Sequence, residues 1–583
     1  MNDKDKNIIL NNNTSIFKSN NNPSPKNKLP FKMLFNFQQK FIFIFKLLIF
    51  LNILINNLIS KKQRGLESYY SYITLNVNKV ENQKILGTKF NNCPNNVYIN
   101  DIIYSNEDCK SVVLNELSDQ IKLEWTNELN NISNMFSGLK NIIFINFSNF
   151  DTSLVTAMNE LFSGCLNLKS LDFSNVDTSK VTTLGNIFYD CSSLISVDVS
   201  GFNTSKVIHF YGMFYGCSTL TSLNVSNFET SLATSLSGMF KDCKKLISLD
   251  LSNFITSSVE SMSYVFRGCE KLTSLNLSNF DTSKVKTMNE LFYSCINLKI
   301  LDISSLDTSR VTDLSYLFYG CTNLTQIYLF NFNTSSVTKM NSMFSGCTSL
   351  ISLNISSFVT SKVTTMDYMF SNCKLLDTFE LSHFNTKSLK SMKGMFNGCE
   401  SLVRINLSHF DTSSMTDVGE LFKGCKKLTS FYIYNFDTSS LKSMSSMFSG
   451  CELITSFDLN NFNTTSVTSI SKMFLDCKNL EYFYMPNFKT ESMTNMEGLF
   501  SGCNKLKSLN ISNFNTSSVT TMASLFSSCS SLTSLDLSNF DSSKVKSFGS
   551  MFSGCSSLKF LNLSNFDTQS VTTMNEIFRD VLN

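Results

Sequence analysis

Cysteine is the residue whose type and spacing first suggest chemistry in this chain of 583 residues. There are 18, and sixteen of them, from Cys165 to Cys555, follow one another every 26 residues without an insertion or deletion. Thiolates ligate metals, form disulfides or act as nucleophiles. Here successive copies would lie one turn apart in a single column. Zinc needs ligands that converge tetrahedrally, usually with a Cys-x-x-Cys pair, and the chain has none. The column is therefore expected to consist of small buried apolar groups, with no metal. Cys93 and Cys109 stand off the column and outside the cell could form a disulfide.

Histidine offers little catalytic material. His383 and His409 hold the same place in consecutive repeats, where Asn is usual, and read as polar turn residues; His209 stands alone. No nucleophile–base–acid set, phosphate-binding glycine loop or nucleotide motif is present, so no enzymatic activity and no cofactor are expected. Charge excludes a further class. Residues 1–64 carry ten Lys, one Arg and two Asp, so an overall charge of +3 leaves the remaining 519 residues at −6. A nucleic-acid binder would carry its basic residues on the folded body, and this chain does not.

The elements that must position any site follow from the same period. Leu139 precedes the first ladder cysteine by one period and Val581 follows the last, giving seventeen periods and the signature of a solenoid. Counted from each cysteine as zero, the unit reads Leu at offsets 3, 6 and 8, Asn at 10, Phe at 11, Thr at 13, Val at 16, Met at 19 and Phe at 23. Alternation at offsets 6 and 8 predicts a short strand with one face inward. Apolar residues at offsets 16, 19, 22, 23 and 26, as in Val285, Met288, Leu291, Phe292 and Cys295, have helical spacing. The expected fold is therefore α/β, with about seventeen strand–helix turns. Asp, Asn or Glu at offset 12 and Thr at offset 13 are expected to cap each helix, and glycine before the cysteine, as in Gly216-Cys217, to end it. Phe at offsets 11 and 23 should stack into two apolar spines.

The run Leu-x-x-Leu-x-Leu-Ser-Asn-Phe-Asp-Thr-Ser-x-Val-x-x-Met-x-x-x-Phe-x-x-Cys, whole at 272–295, resembles the BspA-like leucine-rich repeats of bacterial and protist surface proteins. The resemblance covers residues 139–581, and the tract from Ile121 to Phe136 is similar to that family's lead-in. It implies a leucine-rich-repeat solenoid displayed outside the cell for adhesion or recognition. In ordinary leucine-rich repeats the ladder asparagine would fall at offset 11, which is Phe here, while Asn stands at offset 10 in twelve units. That departure leaves the asparagine ladder and the curvature open.

Outside the repeats, residues 1–40 form an Asn- and Lys-rich leader that reads as disordered. Residues 41–60 are apolar and read as a signal anchor or a signal peptide, the former making a membrane tether. Residues 61–138 should cap the solenoid at 139–583.

On the strand, offsets 5, 7 and 9 face away from the core, and side by side the strands make a sheet roughly 80 Å long at ~4.8 Å per strand. Offset 7 is Asn seven times, Asp six times, Glu once and Tyr three times, so the face is polar and mildly acidic. Tyr328 and Phe330, Tyr432 and Tyr434, and Tyr482 and Tyr484 place six rings on it, with Arg404 as a polar neighbour. Exposed aromatics of this kind anchor an extracellular protein or glycan partner. Sequons fall on the same face at Asn224, Asn276, Asn354, Asn406, Asn510 and Asn562, and in the turn at Asn203, Asn333, Asn463 and Asn515. The functional expectation is a non-enzymatic surface protein, membrane-anchored or secreted, for adhesion or recognition. The alternatives are a coat protein assembling through solenoid ends and an intracellular scaffold.

Overall fold

The computed structural model describes residues 71–105, 108–459, 461–485 and 487–581. The leader at 1–40 and the apolar run at 41–60 lie outside the described residues, among which no helix is long and apolar enough to cross a membrane.

The described chain opens on a cap of strands β1 (Ser71–Val77), β2 (Glu81–Lys84), β3 (Asn96–Ile99), β4 (Ile102–Ile103), β5 (Ser111–Leu114) and β6 (Ile121–Trp125). Strands β7 (Ile142–Asn146) and β8 (Ser170–Asp172) belong to the first two repeats. One sheet runs β4-β3-β6-β1-β7-β8, and β2 pairs with β5 separately. β1 alternates apolar and polar, turning Ile73, Leu75 and Val77 inward, and pairs antiparallel with both β6 and β7. From β7 to β8 pairing becomes parallel, so the cap sheet continues directly into the solenoid. Trp125 is buried, its ring 5.4 Å edge-on from Phe150 of the first repeat, and its indole N–H donates to the Asn92 carbonyl at 3.1 Å. Cys93 and Cys109 are joined by a disulfide within the cap.

In nine of the turns a three-residue strand forms at offsets 5–7, as in Ser170–Asp172, Ile300–Asp302 and Tyr482–Tyr484, pairing in parallel with a neighbouring turn. The second half of the unit corrects the sequence expectation. Among the described residues there is no helix, so the solenoid is all-β with turns, and the strand–helix α/β reading fails. The reason is visible in the alternation of hydrogen bonds. Met158, Glu160, Phe162 and Gly164 donate their N–H groups along the axis to Thr183, Gly185, Ile187 and Tyr189 of the next turn, at 2.7–3.2 Å. The N–H groups between them close tight turns instead, Leu161 to Met158, Ser163 to Glu160 and Cys165 to Phe162. An α-helix keeps all these bonds within the segment. Positive φ at offsets 21 and 25, 56° at Glu160 and 74° at Gly164, ends each incipient helical turn. A parallel bridge at offset 18 then runs unbroken from Asn131–Ala157 to Ser547–Thr573. The inward residues at offsets 16, 19, 22, 23 and 26 are those of the helical pattern, which is why periodicity alone could not separate the two structures.

At offset 25 the left-handed backbone also sets a packing rule. Asp190 turns its carboxylate into the space beside Gly216, where an added Cβ would come within 2.2 Å of Oδ1, and Asn372 does the same beside Gly398 at 2.4 Å. Each Asp, Asn or Ser at offset 25 from 190 to 528 is followed one turn later by glycine.

The offset-23 spine forms as expected. From Phe136 to Phe578 every ring stacks on its copy in the next turn, with centroids 5.4–6.2 Å apart. The offset-11 column is largely buried, but its rings stack only at Phe254–Phe280, Phe332–Phe358, Phe436–Phe462 and Phe488–Phe514 among the described residues. It is a packed column and not a second continuous stack.

Polar ladders hold the turns in register. Thr at offset 13 is buried and caps no helix. Thr178 Oγ1 accepts the Asn203 N–H at 2.7 Å and donates to the Asn203 carbonyl at 3.0 Å, and Thr360 does the same with Asn385 at 2.8 and 2.9 Å. At offset 12 the carboxylate of Asp177 accepts the Ser179 N–H at 2.9 Å, shaping a tight turn. The asparagine ladder left open by the sequence exists at offset 10. Asn279 Nδ2 donates to the carbonyls of Leu251, Ser252 and Phe254 in the preceding turn at 3.0–3.1 Å. His383 and His409 take the same place, with Nε2 2.9 Å from the Ile355 carbonyl and 2.7 Å from the Leu381 carbonyl.

The sixteen ladder cysteines are free and buried. Each thiol donates to the carbonyl of a spine phenylalanine at 3.0–3.3 Å, as from Cys165 to Phe136 and from Cys347 to Phe318. Burial pushes the Cys165 thiol up to about 12 and that of Cys555 up to about 11, so thiolate is scarce at neutral pH. Iodoacetamide is therefore expected to leave the native ladder unmodified. It should label sixteen cysteines after unfolding without reductant, and eighteen after unfolding and reduction, read by intact mass.

Candidate recognition face

The outward side chains of the strands lie in three columns at offsets 5, 7 and 9, one rung per turn. Asn or Asp at offset 7 does local work: Asp172 accepts the Ser174 N–H at 3.0 Å, and Asn224 accepts both the N–H and the hydroxyl of Ser226, at 3.1 and 2.8 Å. This fixes the exit of the strand and leaves the outer face polar.

The aromatic residues stand out of this surface. Tyr434 is 56% exposed, Tyr482 57%, Tyr484 63% and Tyr432 40%, values at which much of each residue meets solvent. Tyr432 and Tyr484 share the offset-7 column, with Asp458 on the rung between them. At ~4.8 Å per strand the two tyrosines are about 10 Å apart with the carboxylate in the middle. Tyr432 is in register with Asn406, and Arg404 of the same strand with Ser430, which places the guanidinium one turn from the patch. Tyr328 and Phe330 pair ring to ring at 5.8 Å, but four turns earlier, so the structure does not bring them to the other four. Asp302 is in register with Tyr328 there.

Beneath the main patch the core changes composition. Phe431, Phe457 and Phe483 replace the usual offset-6 leucine and pack against spine residues Phe448, Phe474 and Phe500, with centroids 4.6–4.9 Å apart. These rings anchor the strands that carry Tyr432, Tyr434, Tyr482 and Tyr484, so the platform is stiff where the rings emerge.

The strand sequons Asn224, Asn276, Asn354, Asn406 and Asn510 are exposed and Asn562 half-exposed, while Asn203, Asn333, Asn463 and Asn515 are exposed in the turn. Sequence reasoning missed five more: Asn12-Asn-Thr and Asn13-Thr-Ser in the leader, Asn131-Ile-Ser, Asn146-Phe-Ser in the first repeat, and Asn323-Leu-Thr at offset 2. A scan for the bare tripeptide would have found them.

Repeats of one length, with Leu at offsets 3, 6 and 8, an asparagine ladder at offset 10 and short parallel strand pairs, form a solenoid similar to those of leucine-rich repeats. The chain belongs to the family described as Mycoplasma protein of unknown function, DUF285, which matches residues 130–248, 217–300, 294–405, 390–485 and 482–583. No curated protein matches. Three solved structures are similar at low superposition scores. A chain of the TLR13–ssRNA13 complex is 16% identical, with a TM-score of 0.20 over 78% of this chain and 79% of that one. A leucine-rich cell surface protein of Faecalibacterium prausnitzii is 17% identical, with a TM-score of 0.24 over 57% and 93%. A leucine-rich-repeat protein of Leptospira interrogans is 15% identical, with a TM-score of 0.19 over 72% and 91%.

Proposed function

We propose that this chain is a non-enzymatic, BspA-like recognition protein displayed outside the cell, used for adhesion, and tethered or exported through residues 41–60. The observation that carries the reading is the stiff polar sheet with its exposed tyrosines in the turns from Cys425 to Cys477. Large exposed rings on a braced surface are an interface in waiting, because their burial contributes to binding with little loss of side-chain freedom. Cysteine chemistry supports the compartment: the two cysteines off the ladder are bonded to each other, and the sixteen others are buried thiols. Such a chain suits an oxidising environment.

Antibody to the repeats is expected to label unpermeabilised cells as strongly as permeabilised ones. Signal that appears only after permeabilisation removes the display reading and leaves a scaffold inside the cell.

A further inference from the structure

We propose that Tyr432, Tyr434, Asp458 and Tyr484 form a docking site for the arginine or lysine side chains of a basic protein segment. The inference rests on the recognition reading above and names the chemistry of the partner. It starts from the offset-7 column. Asp458 lies one rung after Tyr432 and one rung before Tyr484. A guanidinium set over that carboxylate would stand within ~6 Å of both rings, the range in which a cation is held by an aromatic face.

The chain itself uses the same combination in three places, one of them at the edge of the patch, where Lys507 Nζ lies 5.8 Å from the Tyr482 ring and pairs with Glu481 at 2.8 Å. Lys122 Nζ lies 4.4 Å from the Tyr72 ring and 4.8 Å from that of Tyr98, and pairs with Glu124 at 3.3 Å. The Arg267 guanidinium lies 4.2 Å from the Tyr293 ring and pairs with Glu290. At the surface patch the rings and the carboxylate are in place, and among the described residues no Lys or Arg of the chain lies over Tyr432, Tyr434 or Tyr484.

Charge points the same way. The offset-7 column holds six Asp and one Glu, and no Lys or Arg, along all seventeen turns. A column of one sign steers and selects a partner of the other. Asp302 beside Tyr328, six turns from Asp458 along the same column, offers a second contact to an extended basic segment. The phenylalanines under the main patch hold the rings before the partner arrives, which lowers the ordering cost of binding.

The test is fluorescence anisotropy of the full chain with a labelled peptide of alternating Arg and Ser, beside the same peptide with Gln in place of Arg. Only the Arg peptide is expected to bind, more weakly as salt rises. Asp458→Asn, which keeps the size and a hydrogen-bond acceptor, and the pair Tyr432→Ala with Tyr484→Ala should each weaken binding about tenfold or more. Asp198→Asn, far along the sheet, should leave binding unchanged, and circular dichroism of each variant should match the parent. Equal binding of the Gln peptide, wild-type affinity in Asp458→Asn, or binding of a neutral β-linked glucan oligosaccharide at these tyrosines in place of the peptide overturns the proposal. Labelled cells without peptide binding would remove the partner class alone. Peptide binding without labelled cells would remove display alone.

Discussion

Replacing Phe396 with alanine is expected to cost about 3–5 kcal/mol, the range for emptying a fully buried aromatic site. The ring is wholly buried, stacked 5.8 Å from Phe370 on one side and 5.8 Å from Phe422 on the other, with Phe379 5.0 Å away edge-on. Its removal opens a cavity that two turns share. Stability in an array of turns is a sum over neighbouring interfaces, so weakening two adjacent interfaces should split one cooperative urea transition into two. Phe566→Ala, at a half-exposed ring near the end, should cost clearly less. A Phe396→Ala protein that unfolds at the wild-type midpoint would show that the spine is not the main stabiliser.

Thr360→Val is the second large effect, and it runs against hydrophobicity. The position is 1% exposed, so an apolar residue of the same shape would ordinarily be tolerated or favoured. Here the hydroxyl satisfies both the N–H and the carbonyl of Asn385. Valine takes that partner from two part-buried backbone groups, at up to about 1–3 kcal/mol each. Thr360→Ser should retain most of the stability, since Ser542 makes the same pair of bonds to Asp567 at 2.9 and 2.6 Å. Thr312→Val supplies the contrast. That threonine is exposed and its hydroxyl reaches only the Lys286 carbonyl at 3.3 Å, so the change should stay within about 0.5 kcal/mol. Equilibrium denaturation of the three variants decides the matter, and equal losses at positions 360 and 312 would refute a special role for the buried ladder.

These two residues also mark what the sequence made legible. Phe396 was readable because a bulky apolar residue at a fixed period admits one interpretation, an inward column. The outward position of Tyr432 and Tyr484 was readable for the matching reason, since strand alternation assigns faces. Thr360 was not. A threonine after an acidic residue and before an apolar period resembles a helix cap, and only the coordinates show that its hydroxyl reaches into the next turn. The helix itself failed on the same ground: the inward residues of a helical turn and of paired tight turns fall at the same spacing, and the left-handed backbone that distinguishes them sits on Glu160, Tyr264 or Ser342, residue types that carry no such signal. Asp458 was noted only as one acidic residue among six. Its place between two tyrosines follows from offset arithmetic and needed the question of what lies one rung away.

The alternation at offset 25 reaches beyond folding to how such an array can change length. Turns look interchangeable, and unequal recombination between repeated coding segments would add or remove one without shifting the frame. Yet Asp190 needs a glycine above it. Losing the turn that carries Gly216 would set Asp190 against Asp242, two carboxylates in a space that holds one. A single turn can be lost here wherever glycine still follows each such residue, as with the turn of Asp190 itself or that of Gly424, but not where one glycine separates two of them, as at Gly216, Gly268, Gly502 and Gly554.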